Sequence, residues 1–522
     1  MASADGEDER SESSDRTGSD GERGTERPVS DATREDPEGA DSDSHEQSDF
    51  PVPALRGRAE ACAARLREAD DLLVCSHIDA DGLTSAAVAA SALERAGLAF
   101  ETTFCKQLDA EAVERVAATE YDVVWFTDLG SGQLDAIAPH EAAGDFVPVI
   151  ADHHRPAEAD TEFHCNPLLE GIDGASELSG AGAAYLLARA LGDATGTDNR
   201  DLAALAVVGA VGDMQDGEGG LSGANEGVVA DAVAAGALAE ETDLALYGRQ
   251  TRPLPKLLEY AGEARIPGIS NDEAGCHEFL AELDVPMKDG DDEWRRWVDL
   301  ARDERRTVAS ALIRRAVSSG VPSERVDSLV DTTYVLVDEE PGTALRDVSE
   351  FSTLLNATAR YERADVGLAV CLGDRDGALD RARTLLRTHR RNLSEGLQWV
   401  TGEGVEREEH VQWFDAGTRI RETIVGIVAG MAVGADGVSR SRPIVAFADK
   451  GDGETKVSAR GSGHLVREGL DLSGVMREAS RAVGGDGGGH DVAAGATIPD
   501  GERAAFLAAV DELVGEQLAD DG

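Results

Sequence analysis

The stretch VIADHHRP, from Val149 to Pro156, places an acid and two adjacent histidines at the end of an apolar run. Such a run is typical of a buried strand, and the proline that follows it ends regular structure. Adjacent histidines in a loop are commonly surface residues, so this stretch alone leaves a structural and a functional interpretation open. The choice between the two interpretations depends on whether the chain has other acidic or histidine residues that can lie near this stretch.

The composition around this stretch is acidic but still that of a folded protein. The 522 residues carry a formal net charge of -53, and 41% of them are hydrophobic. A chain of this length predicts two or three domains, and its hydrophobic content argues against wholesale disorder. Acid spread along the whole chain, with little lysine, is typical of proteins from halophiles that accumulate salt. An acidic interaction protein is the alternative interpretation.

Cysteine usage and hydropathy indicate the compartment. The six cysteines are scattered and form no C-x-x-C pair, which argues against a zinc ribbon or a disulfide framework. The N-terminus has no apolar signal core, and the longest apolar run, IVGIVAGMAVGA, is too short to span a bilayer. We therefore expect a soluble, cytoplasmic protein with no membrane partner.

The chain divides into four segments by pattern. Residues 1–50 are acidic and polar, which predicts a disordered tail. In residues 51–230, strands such as DLLVCS, YDVVWFTDL and FVPVIAD alternate with helical stretches, which predicts an α/β domain with a parallel sheet. Residues 231–340 are charged and helical, which predicts a connector or insertion. Residues 341–522 predict a smaller α/β domain with the candidate strands ADVGLAVCLGD, RPIVAFAD and ETKVSAR.

Four segments with acids or histidines follow predicted strands or apolar runs: SHIDADG (Ser76 to Gly82), FTDLGSG around Asp128, ADHH ending at His154, and VGDMQD around Asp213. The carboxyl ends of parallel strands converge on one crevice of an open sheet, so these segments can meet in space. A single Asp in such a place is more often a turn residue or a helix N-cap. Four such segments together are hard to explain by capping.

The residue types predict a site for divalent cations. Oxygen and imidazole ligands without thiolate suit Mn²⁺ or Mg²⁺ better than structural zinc. There are more of these ligands than one ion needs, and a shared carboxylate can bridge two metals about 3.5–4 Å apart, as in enzymes that attack phosphate esters. The candidate ligands are His77, Asp79, Asp81, Asp128, His153 and Asp213.

These motifs resemble those of a known family. SHIDADGLTSA, TDLGSG, ADHHRP and VGDMQD resemble motifs one to four of the DHH phosphoesterase superfamily, over residues from about 70 to 216. KVSARGSG and GGDGGGHDVAAGATI resemble its companion C-terminal domain, DHHA1. The chain is most similar to archaeal RecJ-like single-strand exonucleases, the type that includes the GINS-associated nuclease. The resemblance implies that the active site lies in a cleft between the two domains.

The resemblance also assigns roles to individual residues. His77 and Asp79 would hold one Mn²⁺, and Asp81, His153 and Asp213 the other, with Asp128 as the bridge. His154 would face the scissile phosphate, and Asp152 would orient a neighbouring imidazole. In the second domain, glycines that let backbone N–H groups approach a phosphate, with polar side chains beside them, would bind the nucleic-acid backbone: Ser458, Arg460, Gly487, Gly488, Gly489 and His490.

The resemblance implies a two-metal exonuclease of DNA replication or repair that cuts single-stranded DNA or RNA to 5′-mononucleotides, with a GINS-like replisome component as a candidate partner. A net charge of -53 is unusual for a nucleic-acid-binding protein, although high salt screens repulsion and weakens the counterion contribution to binding. One alternative is a phosphoesterase for nanoRNA, cyclic dinucleotides or a phosphonucleotide. Another is a non-catalytic Cdc45-like replisome scaffold, against which the complete ligand set argues. The direction of cleavage and the DNA or RNA preference stay open.

Overall fold

The computed structural model describes residues 50–262, 264–451 and 453–519. The tail predicted for residues 1–50 lies outside these ranges, apart from Phe50. Among the described residues, none of the helices combines the length and the apolar character needed to cross a membrane.

The first half of the described chain builds an α/β layer around a parallel sheet, as the alternating pattern predicts. Its helices and strands are α1 Arg56–Arg67, β1 Asp71–His77, α2 Ala80–Ala96, β2 Ala99–Cys105, α3 Ala110–Ala117, β3 Val123–Thr127, α4 Leu134–Ala143, β4 Val147–Ala151, β5 His164–Cys165, α5 Gly180–Thr195, α6 Ala203–Gly212 and α7 Ala224–Ala234. The strand order is β2-β1-β3-β4-β5, and every neighbouring pair is parallel. The predicted strands at β1, β3 and β4 are confirmed.

This strand order creates a crevice at one edge of the sheet. The chain moves outward from β1 to β2 and then returns to β3 on the other side of β1. The connections after β1 and β3 therefore diverge, and in open α/β sheets ligands bind at such a switch point beyond the carboxyl ends of the strands. His77 ends β1 and Asp128 follows β3 at this point.

Three helices on one face of the sheet approach one another closely. Helices α2, α5 and α6 are rich in alanine and glycine, and most of their residues are buried. A Cβ on Gly209 of α6 would lie 2.5 Å from atoms of Asp81 and Thr84 on α2 and of Ala181 on α5. The lack of a side chain at Gly209 therefore allows the helix contact that holds Asp81 in place.

The middle region is helical but is closed by two strands that the sequence did not predict. Its elements are β6 Leu238–Leu244, α8 Leu254–Glu259, α9 Glu273–Ala281, α10 Arg302–Ser318, α11 Ser323–Asp327 and β7 Val330–Leu336. Strands β6 and β7 pair antiparallel along their whole length. The helices between them have a core of their own, which includes Leu257, Trp297 and Leu312. The helices of the middle region are therefore connected to the rest of the fold through the β6–β7 strand pair.

Three helices follow the middle region: α12 Val348–Ala359, α13 Ala364–Cys371 and α14 Gly377–Glu403. The strand predicted for ADVGLAVCLGD is wrong, because this stretch forms α13. Ala364, Gly367 and Cys371 are buried at helical spacing, and a short apolar run does not by itself distinguish a strand from a buried helix. Phe351 of α12 and Val366 of α13 belong to the same core as the parallel sheet.

The C-terminal part folds around a second sheet. Its elements are β8 Glu406–Arg407, β9 Gln412–Asp415, α15 Val425–Ala432, β10 Ile444–Gly451, β11 Glu454–Arg460, α16 Gly463–Arg467, α17 Leu472–Ala482, β12 Asp486–Gly489, β13 Ala493–Pro499 and α18 Arg503–Ala519. The strand order is β12-β13-β11-β10-β9-β8, and only β9 and β10 run parallel. The strands predicted for RPIVAFAD and ETKVSAR are confirmed as β10 and β11. The whole is the mixed α/β architecture that the sequence predicts.

The close helix contact gives a test of the fold. Gly209→Ala should destabilise the protein by about 1–3 kcal/mol, because the added methyl group has no room and the helices must shift. Gly57→Ala is the matched control, since a Cβ there meets no atom within 4 Å. That control should leave stability unchanged or raise it by up to about 1 kcal/mol through helix propensity. Urea denaturation followed by circular dichroism measures both, and equal midpoints for the two variants would contradict the packing account.

Candidate metal centre

The four acidic or histidine-bearing segments meet at the crevice between β1 and β3. His77 is the last residue of β1, Asp128 follows β3, and the Asp152–His154 triplet follows β4. Asp213 comes directly after helix α6 rather than after a strand. The structure brings together all six candidate ligands and the triplet.

A first group of side chains surrounds His77. Its Nδ1 atom lies 3.0 Å from Oδ2 of Asp79 and 3.5 Å from Oδ2 of Asp128. Asp79 is also the N-cap of α2, because its Oδ1 accepts a hydrogen bond of 3.0 Å from the Gly82 N–H. The capping and the ligand interpretations of Asp79 are therefore compatible, since one oxygen caps the helix and the other faces His77.

A second group surrounds His153, which is 7% exposed. Its Nε2 atom lies 3.8 Å from Oδ2 of Asp81 and 3.3 Å from Oδ1 of Asp128, while its Nδ1 lies 3.7 Å from Oδ2 of Asp213. His77, Asp79 and Asp128 each offer one candidate ligand atom, and these three atoms lie within 4.8 Å of one another. The same is true of the three atoms offered by Asp81, His153 and Asp213. Asp128 contacts both groups, with one oxygen toward each.

Asp81 is fixed by the start of a second helix. Its Oδ2 accepts a hydrogen bond of 2.8 Å from the Gly180 N–H, and its Oδ1 accepts one of 3.0 Å from the Ala181 N–H. These N–H groups begin α5, where the helix dipole favours a negative charge. These two hydrogen bonds fix the position of the Asp81 side chain, which is only 2% exposed.

The triplet itself is organised by Asp152, which is fully buried. Its Oδ2 accepts a hydrogen bond of 2.9 Å from the Ser131 N–H. Its Oδ1 accepts one of 2.8 Å from the His153 N–H and lies 2.8 Å from Nδ1 of His154. Because these partners occupy Asp152, it orients the two histidines, and the more exposed His154 presents its Nε2 edge away from that contact.

Further residues that the sequence did not identify support the ligands. Gln215 donates a hydrogen bond of 3.0 Å to Oδ2 of Asp213 and one of 2.9 Å to the carbonyl oxygen of Gly174. The same carbonyl oxygen lies 2.7 Å from Nδ1 of His153. Asn225 in turn donates a hydrogen bond of 2.8 Å to Oε1 of Gln215. Gln215 lies inside the VGDMQD motif and could have been suspected, whereas no local pattern marks Asn225.

The pKa values at the site reflect crowded charges. Burial disfavours the charged form of His77, but Asp128 and Asp79 outweigh this and raise its pKa to about 11. Burial likewise acts against a charged Asp128, but the His153 and His77 imidazoles lie close to its two oxygens and lower its pKa nevertheless. Burial and the nearby carboxylates raise the pKa of Asp81 and of Asp213. A divalent cation among these groups would favour the carboxylate forms of both.

The geometry fits divalent cations. Nε2 of His153 is buried and has no hydrogen-bond partner among the described residues, an arrangement that costs free energy unless another partner takes its lone pair. It faces carboxylate oxygens of Asp81 and Asp128. Imidazole with several carboxylates and no thiolate suits Mn²⁺ or Mg²⁺.

The phosphate-binding candidates form a second group on the C-terminal sheet. Ser458 on β11 pairs with Gly495 on β13, which pairs with Gly488 on β12. Gly487 and Gly489 flank Gly488, Arg460 ends β11, and His490 lies exposed just after β12. No hydrogen bond or ion pair in the described ranges joins this group to the six candidate ligands.

A cavity of about 730 Å³ lies beside this glycine row. Lys456 on β11 and Gln107, which follows β2 of the parallel sheet, both line it. Burial and the charges of Lys106, Lys450 and Arg460 lower the pKa of Lys456. Nζ of Lys106 lies 2.5 Å from Oε1 of Glu422, so the end of β2 contacts the C-terminal part. The cavity is therefore lined by both halves of the chain, and its charged lining residues are Lys450, Lys456, Glu454 and Asp486.

Comparison with known families and proteins identifies these parts. Residues 71–210 match the model of the DHH family, N-terminal domain; residues 246–330 match the DHH-CID domain; and residues 411–516 match the DHHA1 domain. The chain is 30% identical to an uncharacterized protein of Methanocaldococcus jannaschii over 454 residues, which cover 85% of this chain and 93% of that protein.

Solved structures of other proteins share the fold, two of which illustrate the likeness. RecJ of Thermus thermophilus in complex with Mn²⁺ matches with a TM-score of 0.56 and 18% identity over 90% of this chain and 55% of that chain. The chain thus spans little more than half the length of that RecJ. CDC45 of Entamoeba histolytica matches with a TM-score of 0.60 and 11% identity over 88% of this chain and 99% of that chain. With its DHH, DHH-CID and DHHA1 regions in this order and a RecJ-like fold, the chain belongs to the DHH phosphoesterase superfamily and carries a DHHA1 domain.

Proposed function

We propose that this protein is a metal-dependent exonuclease that cuts single-stranded DNA or RNA to 5′-mononucleotides, in replication or repair. The observation that carries the proposal is the pair of ligand groups joined by Asp128, one around His77 and one around His153. Two ions held in this way, Mn²⁺ or alternatively Mg²⁺, would provide a water that deprotonates near neutral pH and would offset the charge of the reacting phosphate. The family resemblance points to a phosphodiester as the substrate.

The triplet gives the site a proton donor. Nδ1 of His154 contacts Asp152, which raises the pKa of His154 through the hydrogen bond and its charge. Asp152 therefore favours the doubly protonated ring, and in that form the Nε2–H of His154 would donate to an oxygen of the scissile phosphate. Asp152 acts through His154 as a positioning residue. Hydrogen bonds from the Ser131 and His153 N–H groups hold the buried Asp152 carboxylate in place.

The C-terminal sheet would bind the backbone of the single-stranded nucleic acid. Gly488 on β12 has open space where a side chain would be, and it pairs through Gly495 with Ser458, which is 6% exposed. Backbone N–H groups can then come close to phosphates. Lys456 and Arg460 would add charge to Ser458, the glycines and His490. These two cations would be the positive groups that contact phosphate in a chain with a net charge of -53.

The solved structures that share the fold support this proposal. RecJ of Thermus thermophilus was crystallised with Mn²⁺, a hard cation that matches the oxygen and imidazole donors seen here. The CDC45 likeness supports a place in a replisome beside a GINS-like component, with the middle region as the candidate docking element.

Asp128→Asn should abolish hydrolysis with little effect on folding. Asparagine keeps the shape but removes the negative charge shared by the two groups, so we expect a loss of about a hundredfold or more in rate. Purified protein is incubated with Mn²⁺ in high salt and with single-stranded DNA or RNA labelled at the 5′ or the 3′ end. Release of labelled mononucleotide then gives both polarity and preference.

Asp135→Asn is the matched control, because Asp135 is exposed in the first turn of α4. It should retain the wild-type rate. Equal activity of the Asp128→Asn variant and wild type, or no mononucleotide from any strand, would contradict the nuclease proposal. Hydrolysis of dinucleotides alone would favour a small-substrate phosphoesterase, and no hydrolysis of either would favour a scaffold.

Gln215→Leu should weaken metal binding without removing a ligand. Gln215 holds both Asp213 and the Gly174 carbonyl that contacts His153, and loss of such a supporting partner typically costs about 10–100-fold in metal affinity. Isothermal titration with Mn²⁺ measures this directly. Gln398→Leu, at an exposed position of α14, is the control and should bind Mn²⁺ as wild type does. Unchanged affinity in the Gln215→Leu variant would show that Gln215 does not position the ligands.

A further inference from the structure

Arginine and tyrosine side chains stack together where the middle region meets α14. The Arg252 guanidinium lies 4.8 Å from the ring centroids of both Tyr247 and Tyr260. Arg390 of α14 lies 5.6 Å from the Tyr247 centroid and donates a hydrogen bond of 2.6 Å to its hydroxyl oxygen. Tyr260 remains 55% exposed. We call Tyr247, Arg252, Tyr260 and Arg390 the arginine–tyrosine cluster.

A cavity of about 800 Å³ opens beside Tyr260, between the middle region and the C-terminal sheet. The middle region contributes Arg265 and Arg325 to its wall, and the C-terminal part contributes Arg440. Its other lining residues are small or apolar, apart from Ser462, and none of the described lining residues is acidic: Gly262, Gly430, Val433, Gly461, Ser462 and Gly463. The cavity therefore places three positive charges and an exposed ring around open space.

These arginines lack an acidic partner among the described residues, in a chain where acid is abundant. The protein has 102 acidic residues and 49 lysines and arginines, so a carboxylate could readily have been placed beside each cation. Arg249 and Arg295 of the same region do form ion pairs, with Asp347 and Glu304. In the described part of the chain, no carboxylate oxygen lies within 4.0 Å of the arginines of the cluster or the cavity: Arg252, Arg265, Arg325, Arg390 and Arg440.

The cavity adjoins the phosphate-binding residues proposed on the C-terminal sheet. Residues Gly461 to Gly463 line the cavity and follow directly after Arg460, the last residue of β11. Ser458 is only two residues further back on the same strand. At about 3.3 Å per residue along a strand, Ser458 lies no more than about 10 Å from Gly461 at the cavity wall. The proposed phosphate-binding residues of β11 and the cavity are therefore neighbours.

We propose that this cavity and the arginine–tyrosine cluster form a second subsite for single-stranded nucleic acid, remote from the metal centre. Arg265, Arg325 and Arg440 contact phosphates, and the exposed Tyr260 ring, backed by Arg252, stacks against a base. The inference rests on the proposed nuclease function and extends it, because the subsite raises the affinity of the enzyme for long single-stranded substrates. An exposed ring among cations favours a nucleic acid over an acidic peptide, since every base offers a face for stacking.

The test compares short and long substrates in the full-length protein. Oligonucleotides of about 3 and about 16 nucleotides lie below and at the upper end of the usual site size of single-strand binding domains. For the long substrate, Tyr260→Ala and the double variant Arg265→Ala with Arg325→Ala should each raise KM about tenfold, the effect expected for loss of one stacked base or of phosphate contacts. Their kcat, and both constants for the short substrate, should match wild type.

Arg67→Ala is the matched control, because Arg67 is also an exposed arginine at the end of a helix but lies on α1. It should leave KM for both substrates unchanged. Circular dichroism should show the same fold in all variants. An unchanged KM for the long substrate in the cluster variants, or an equal rise for both substrate lengths, would overturn the proposal.

Binding measurements separate this proposal from the function on which it rests. If wild type cleaves no strand, the nuclease proposal fails, and fluorescence anisotropy with the long oligonucleotide judges the subsite alone. Weaker binding in the Tyr260→Ala variant than in the Arg67→Ala variant would support the subsite, and equal binding would overturn it. Oligoglutamate binding that depends on Arg265 and Arg325, without an effect on oligonucleotide binding, would overturn it in favour of an acidic protein partner.

Discussion

The carboxylate of Asp128 holds the two halves of the candidate metal centre together. One of its oxygens lies 3.5 Å from His77 and the other 3.3 Å from His153. Asp128 has a backbone φ of +56°, in the left-handed region that costs free energy for most residues but that Asp adopts more readily. This conformation turns the chain sharply after β3 and directs the side chain into the crevice.

Asp128 fits beside α5 because the first residue of that helix is Gly180, which has no side chain. A Cβ on Gly180 would lie 2.7 Å from the Cβ and Oδ1 atoms of Asp128. Gly180 also gives its N–H to Asp81, so the start of α5 both admits one candidate ligand and fixes another. Asp81 and Asp128, which come from two separate segments, both depend on how closely α5 approaches them. The close packing of α2, α5 and α6 therefore matters for the candidate metal centre as well as for stability.

The sequence predicted the parts of this arrangement that have a local signal. Strands β1, β3 and β4 have strong apolar runs, and the acids and histidines that follow them share one placement, so both the sheet and the meeting point could be inferred. Gln215 and Asn225 could not, because their role depends on contacts between distant segments. Helix α13 was mistaken for a strand because its apolar run is short, and the β6–β7 pair joins segments nearly a hundred residues apart. The arginine–tyrosine cluster likewise combines residues from the middle region and α14, which no spacing in the sequence connects.

The most direct test of the two-metal account is anomalous diffraction at the manganese edge from crystals of the wild-type protein soaked in Mn²⁺. The account predicts two peaks about 3.5–4 Å apart, with Asp128 between them, His77 and Asp79 beside one, and Asp81, His153 and Asp213 beside the other. A single peak, or two peaks that do not share Asp128, would contradict the claim that this carboxylate joins two metal sites.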